Sequence, residues 1–264
     1  MANNTSFRLN IGSFQCMVIS DGSIAVPGPV PPGFTGRMED RPREVMDVMC
    51  LLIEQGRRRI LVDTGCGTFF QGSSGKLLEN LRKENIDPAS VDTIVYTHGH
   101  PDHVGGTVDP NGKPVFPKAR QVASKKEWDS WVSAGQNARM FTLAQKNLLP
   151  LRDQFDLAED NAEVVPGIKL VPAAGHTLGG VMIEISSGKD KLLCIGDLVH
   201  SQLEFTQPAY YSFLDSAPEA AIKLRTEGLS EIAEAGTLVF ACHFPFPGIG
   251  HIMKRGGVLG WEAI

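Results

Sequence analysis

The chain has no long apolar run, no cysteine pair and no block of like charge, and each absence removes a class of protein. No stretch approaches eighteen consecutive apolar residues, so no membrane-spanning helix is expected. The opening MANNTSFRLNIGSF lacks the basic start and apolar core of a secretory leader. The 5 cysteines, Cys16, Cys50, Cys66, Cys194 and Cys242, are scattered and odd in number, without C-x-x-C spacing. That usage argues against a disulfide framework and for a reducing, cytoplasmic setting. A net charge of -5 offers none of the basic surface that a nucleic-acid binder needs. The one basic run, Arg57 to Arg59, sits between Glu54, Gly56 and apolar flanks and reads as a solvated hairpin tip.

What remains is ordinary globular material, 264 residues of which 42% are hydrophobic, enough for a sizeable core. No linker and no repeat at solenoid spacing stands out, so residues 1–264 are expected to form a single domain of two β/α halves. FRLNI, FQCMVIS and IAVP read as short strands separated by turn residues. VMCLLIE and ILVDTG, joined through QGRRR, read as a hairpin, and SVDTIVYTH as a buried strand. GKLLENLRKENI, ASKKEWDSWVSAG and SAPEAAIKLRTEGLSEIAEAG have helical apolar spacing. Ser124 suits an N-cap, Pro218 a helix start, and Pro150 breaks FTLAQKNLLPLRDQF. GIKLVPAAGHT, GVMIEISS, KLLCIGD and TLVFACH are further strand patterns, and the segment after His243 reads as strands and turns.

Three histidines and an aspartate crowd HGHPDH, residues 98–103, directly after a buried strand. His98 and His100, two apart in extended chain, leave the same side and can converge on one ion. Asp102 and His103 lie further round the turn and can face a second. Imidazole with carboxylate suits zinc, with manganese, iron or cobalt as substitutes. Three other strand patterns also end in a potential ligand: IKLVPAA before His176, LLCI before Asp197, and LVFA before His243. One such residue is ordinary. Four strand ends carrying ligands are what one sheet edge building one site would produce.

The order H-x-H-x-D-H, then His176, Asp197 and His243, resembles the signature of the metallo-β-lactamase superfamily, and VDTG at 62–65 and Gly105-Gly106 match it too. The resemblance covers most of the chain and implies an α/β fold, a four-layer αβ/βα sandwich of two mixed β-sheets flanked by helices. It implies two divalent ions, one held by His98, His100 and His176 and the other by Asp102, His103 and His243, with Asp197 bridging. Asp63 would orient a ligand histidine, or else simply cap its turn. The implied chemistry is hydrolysis by a metal-bridging hydroxide, with Asp102 as ligand and proton shuttle.

Among its branches, the chain is most similar to the acyl-homoserine lactonases and methyl parathion hydrolase. Asp197 argues against a dedicated β-lactamase, and too little chain follows His243 for the helical region of a glyoxalase II. A small uncharged ester, lactone or phosphotriester is therefore the expected substrate, with a thioester, promiscuous β-lactam cleavage or a non-catalytic metal sensor as alternatives. Lactonases of this group often carry a tyrosine three residues after the bridging aspartate; His200 stands there and could donate the same hydrogen bond or act as a surface histidine. Phe34, Trp128, Trp131, Tyr210, Tyr211 and Phe244 are candidates for the pocket wall, although a Trp pair at helical spacing is more often core. The proline-rich VPGPVPPGF, residues 26–34, suits an arm over the site mouth or a homodimer contact.

Overall fold

The run FQCMVI is apolar or nearly so throughout, the pattern of a strand covered on both faces. Cys16 and Val18 point into one core and Met17 and Ile19 into another, so this single strand already defines two buried layers. The structure is a computed structural model, and it describes residues 4–28, 43–70, 72–132, 142–143, 146–210, 212 and 214–264.

The first sheet contains β1 (Ser6–Ile11), β2 (Phe14–Pro27), β3 (Arg43–Gln55), β4 (Arg58–Val62), β5 (Thr93–Val95), β6 (Arg120–Ser124) and β7 (Phe155–Ala158), in that spatial order. β1 to β4 are antiparallel neighbours, and β4 to β7 run parallel. The second sheet contains β8 (Glu163–Val165), β9 (Ile168–Pro172), β10 (Val181–Ser187), β11 (Asp190–Cys194), β12 (Leu238–Phe240), β13 (Ile249–Arg255) and β14 (Val258–Ala263), again neighbours in sequence order. All its pairs are antiparallel except β11 with β12.

The inner faces meet in one core, where Leu51, Ile53 and Val62 from one sheet pack with Ile183, Ile185 and Leu192 from the other. Each such side chain contributes about 1.5–3 kcal/mol by leaving water. On the outer face of the first sheet lie α1 (Leu77–Lys83), the one-turn α2 (Pro101–Val104) and α3 (Lys125–Val132), placing Leu81, Val104 and Trp128 against Leu52 and Ile94. The second sheet carries α4 (Gln202–Thr206), α5 (Pro218–Lys223) and α6 (Leu229–Glu234). Phe205 and Leu229 cover Leu193 and Val239. Helix, sheet, sheet, helix is the four-layer sandwich expected.

The details depart in several places. FQCMVIS and IAVP form one strand, with a register shift between Ser20 and Gly22 that bends it without ending it. β6, β7 and β8 were not anticipated. SVDTIVYTH yields only three strand residues. The helix expected through 218–234 is divided by a π-turn, Leu224–Gly228. Pro150 sits at the start of a 3-10 turn, Leu149–Gln154. The hairpin tip is solvated as read: Arg57 and Arg58 are exposed and Arg59 pairs with Glu54. No helix among the described residues is long and apolar enough to cross a membrane.

Candidate metal centre

β5 delivers its chain to Thr97 and His98 at the sheet edge. His100 keeps extended backbone, and Pro101 then starts α2, because its fixed φ suits a first helical residue and its missing N–H is not needed there. This helix turn carries Asp102 and His103 back toward the edge. Gly105 follows because a Cβ there would lie 2.2 Å from the Cys66 carbonyl oxygen. Gly99, between the first two histidines, lies so close to Trp131 that a Cβ would sit 1.9 Å from its indole nitrogen. From the second sheet come His176 in the turn after β9, Asp197 just past β11, and His243 just past β12.

Two donor groups result, within each of which the candidate ligand atoms lie within 4.8 Å of one another: His98, His100, His176 and Asp197, and His103, Asp197, Cys242 and His243. In the first, His100 Nδ1 is 3.1 Å from His98 Nε2 and 2.7 Å from His176 Nε2. Asp197 joins the groups, its Oδ2 lying 3.2 Å from His176 Nε2 and its Oδ1 3.1 Å from the Nε2 atoms of both His103 and His243. Asp102 Oδ2 stands a little further off, 3.5 Å from His243 Nε2 and 3.7 Å from His103 Nε2. Cys242 is not among the ligands expected from the sequence. Its Sγ is 3.6 Å from Asp197 Oδ1, and burial pushes the thiol well up, so it acts as a donor to that carboxylate and not as a thiolate.

Polar groups behind the rings decide which nitrogen faces inward. Asp63 accepts from the Thr97 N–H, the Thr97 hydroxyl and His103 Nδ1, each at 2.8 Å. A carboxylate only accepts, so the His103 proton sits on Nδ1 and its Nε2 lone pair faces the centre. The Thr97 hydroxyl has one hydrogen, given to Asp63, which leaves its oxygen to accept from His98 Nδ1 at 3.1 Å. His243 Nδ1 donates to the Asp47 carbonyl at 2.8 Å. Glu127 braces the loops themselves: its carboxylate accepts from Gly99 N at 3.0 Å, Gly179 N at 2.9 Å and Trp131 Nε1 at 2.7 Å. Asp47, Thr97, Glu127 and Asp215 were not singled out from the sequence.

The residues present fit a pair of cations. His103 Nε2 and His243 Nε2 are buried without any hydrogen-bond partner, a condition that costs about 1–3 kcal/mol per group. Burial and the neighbouring histidines pull His98 and His100 well down, which keeps them as neutral imidazoles. Burial also pulls on His103, but Asp197, Asp63 and Asp102 outweigh it and hold its pKa well up. The same field that favours a proton there favours a metal cation, and an imidazole-carboxylate set suits zinc and its first-row neighbours.

His200 lies beside this edge. Its Nε2 is 3.3 Å from Asp197 Oδ2 and its Nδ1 3.4 Å from Glu204 Oε2. Burial lowers its pKa, but Glu204 and Asp197 outweigh that and push it up to about 10. His200 and His243 open onto a cavity of about 460 Å³ lined also by Arg43, Met46, Leu203 and Phe244. Of the pocket residues expected, Phe244 is on this wall. Trp128 and Trp131 are not: they are packed in the core between α3 and the first sheet, behind His98, because their spacing turns both inward. Tyr210 does not line the cavity, and its carbonyl accepts from Arg225. Phe34 and Tyr211 lie outside the described residues.

A histidine-aspartate centre on the shared edge of a four-layer αβ/βα sandwich defines a class, the metal-dependent hydrolases of the metallo-β-lactamase fold. The profile of the Metallo-beta-lactamase superfamily matches residues 43–243, and the chain belongs to that superfamily. It is 27% identical over 198 residues to an N-acyl homoserine lactonase of a Bacillus species, covering 66% of this chain and 74% of that protein. It is 24% identical over 236 residues to the N-acyl homoserine lactonase AiiB of Rhizobium rhizogenes, covering 78% and 81%. Among solved structures, AidC, a dizinc quorum-quenching lactonase in complex with a product, N-hexanoyl-L-homoserine, superposes with a TM-score of 0.88 at 26% identity, covering 98% of this chain and 97% of that one. The hydrolase AbOPH has the same TM-score and identity over 100% and 99%.

Proposed function

We propose that the chain, acting as one catalytic unit, opens the ring ester of a small lactone of the N-acyl homoserine lactone kind. His98, His100 and His176 would hold one divalent ion, Asp102, His103 and His243 the other, and Asp197 both, with zinc the first choice. Two such cations supply Lewis acidity toward the ester oxygen and a water nucleophile usable at neutral pH. The single observation that carries the reading is Asp197, whose two oxygens each address a different histidine group at 3.1–3.2 Å.

The chain's own residues divide the remaining work. Asp63, Thr97 and the Asp47 carbonyl keep the inward nitrogens free of protons. Asp102, the most loosely held of the acids, takes up and hands on the proton released in hydrolysis. His200 would donate to the substrate oxygen or to the leaving alkoxide through Nε2, once that nitrogen turns from Asp197 toward the cavity. Leu203, Met46 and Phe244 exclude water from the reacting ester. Esters and phosphotriesters are a second reading, favoured by His200 itself, since an imidazole N–H can donate to a phosphoryl oxygen as well as to a carbonyl. The 5 buried thiols, none in a disulfide, support a reducing, cytoplasmic setting. The arm or dimer contact expected over residues 26–34 lies mostly outside the described residues.

A substrate panel on zinc- and manganese-loaded protein tests this: an N-acyl homoserine lactone, a simple γ-lactone, an aryl ester, a phosphotriester, a thioester and a β-lactam. Lactone turnover should lead and should vanish on chelation and in Asp197→Ala. His200→Phe should lower it about 100-fold without lowering metal content. Two ions bound per chain with no substrate above background would sink the proposal.

A further inference from the structure

Arg225 is completely buried, at 0% exposure, on the outer side of the site. It stands in the π-turn between α5 and α6, and the extra residue of such a turn redirects a side chain that a regular helix would point elsewhere. An arginine has five N–H groups and no means of losing its charge, so a buried one must find acceptors. This one does. Its Nε donates to the Pro208 carbonyl at 3.4 Å, and its Nη2 to the Tyr210 carbonyl at 3.1 Å and to Asp215 Oδ2 at 2.8 Å. Its Nη1 faces Glu204 Oε1 at 3.6 Å.

Both carboxylates continue into the site. The other oxygen of Asp215 lies 3.5 Å from His176 Nδ1, and neither atom has another partner. The backbone fixes that approach, because Ser216 N donates to the His176 carbonyl at 2.9 Å and Ala217 N to the Gly175 carbonyl at 2.8 Å. Glu204 Oε2 accepts from the His200 backbone N–H at 2.6 Å and faces its Nδ1 at 3.4 Å. His176 Nε2 and His200 Nε2 then approach the same oxygen, Asp197 Oδ2, at 3.2 and 3.3 Å. The groups thus close a ring: His176, Asp215, Arg225, Glu204, His200, Asp197.

We propose that Arg225 is a positioning residue that couples His176, on the metal side, to His200, on the substrate side. An ion triad of this kind is poor value for stability alone, since well-packed apolar side chains of like volume serve as well or better. Its use here is geometric. One rigid guanidinium sets the distance between two carboxylates, and each carboxylate faces the outward nitrogen of one imidazole at 3.4–3.5 Å, within ion-pair range. Arg225 also pins the carbonyls of Pro208 and Tyr210, so the turn just after α4 is held by the same fork. A lysine, with three donors on one nitrogen, cannot make these contacts together.

The inference rests on the hydrolase reading for its kinetic half and not for its metal half, so the two can fail separately. The full chain would be prepared as wild type, Arg225→Lys, Asp215→Asn, His200→Phe and the double variant Arg225→Lys with His200→Phe. Zinc-loaded protein serves for kinetics and cobalt-loaded protein for absorption spectra. Arg225→Lys should retain two ions per chain and lose about 10–100-fold in kcat, with KM moving far less. In the His200→Phe background the same change should cost under about threefold, since the path through His200 is already cut. Asp215→Asn, which turns an N–H toward His176 or toward Arg225, should shift the cobalt d–d bands. Equal losses in both backgrounds, or cobalt bands unmoved in both Asp215→Asn and Arg225→Lys, would overturn the coupling. If Arg225→Lys does not fold, Glu204→Gln replaces it in the cycle with the same expectations. If the wild type hydrolyses nothing on the panel, the functional reading falls and the cobalt bands alone decide.

Discussion

Replacing Asp63 by asparagine keeps the shape of the side chain and changes one atom from acceptor to donor. Asp63 Oδ1 receives Thr97 N–H, while Oδ2 receives both the Thr97 hydroxyl and His103 Nδ1–H, all at 2.8 Å. If the asparagine oxygen takes the Oδ1 place, its amide N–H points at His103 Nδ1 and the ring must move its proton to Nε2, the nitrogen proposed to bind metal. If the amide turns over, its N–H opposes the Thr97 backbone N–H in a site only 4% exposed. The first arrangement protonates the nitrogen that faces the centre, and the second leaves one buried donor facing another. Losing an outer partner of a metal-binding histidine lowers metal affinity about 10–100-fold, or roughly 1.4–2.7 kcal/mol. Titrating the metal-free protein with zinc against a chromophoric chelator at fixed pH separates the two affinities. The ion near His103 should weaken by that factor and the ion near His98 much less. A folded Asp63→Asn protein with both affinities unchanged would refute the argument.

Other outcomes can be checked with less work. Glu127→Gln sets an amide N–H against Gly99 N or Gly179 N, and should weaken the ion near His98 about tenfold while sparing the other, the reverse of Asp63→Asn. Chelation should lower Tm by roughly 5–10 °C, because an ion present at about 100 times its Kd adds about 2.7 kcal/mol to the folded state; an unchanged Tm would mean no ion is held. Burial pushes all five thiols up, Cys16 to about 12, so Ellman's reagent at pH 8 should find none in the native protein and 5 in denaturant.

The parts of the centre that could be read from the sequence are those where neighbours along the chain carry the chemistry. His98 to His103 lie within one loop, and His176, Asp197 and His243 each end an apolar run, so periodicity locates them. The groups that orient these rings have no such signal. Asp47 holds His243 across 196 positions through its backbone carbonyl, to which the side-chain identity is irrelevant. Glu127 sits at an unremarked position of an amphipathic helix, and only folding shows that it is buried beneath Gly99. Trp128 and Trp131 were correctly read as one face of a helix, but spacing alone does not tell which layer that face meets. The short strands β6 and β7 carry Arg120 and Asp156 outward at their edges, which hides an apolar pattern in so few residues. Within LRTEG, Thr226 and Gly228 are weak helix formers, but nothing in the composition marks a π-turn rather than an ordinary helical turn.

The two sheets, wound in matching order, each bring only part of the donor set to the common edge. Neither sheet with its own loops can chelate as the pair does: one lacks Asp197 and His243, the other lacks the HGHPDH turn. A nascent chain therefore has no competent ion trap until β12 has joined its sheet and the two inner faces have closed on each other. On the proposed ligand set, metal capture would be a late event, gated by assembly, and bound ions would then tie the two sheets together along their shared edge.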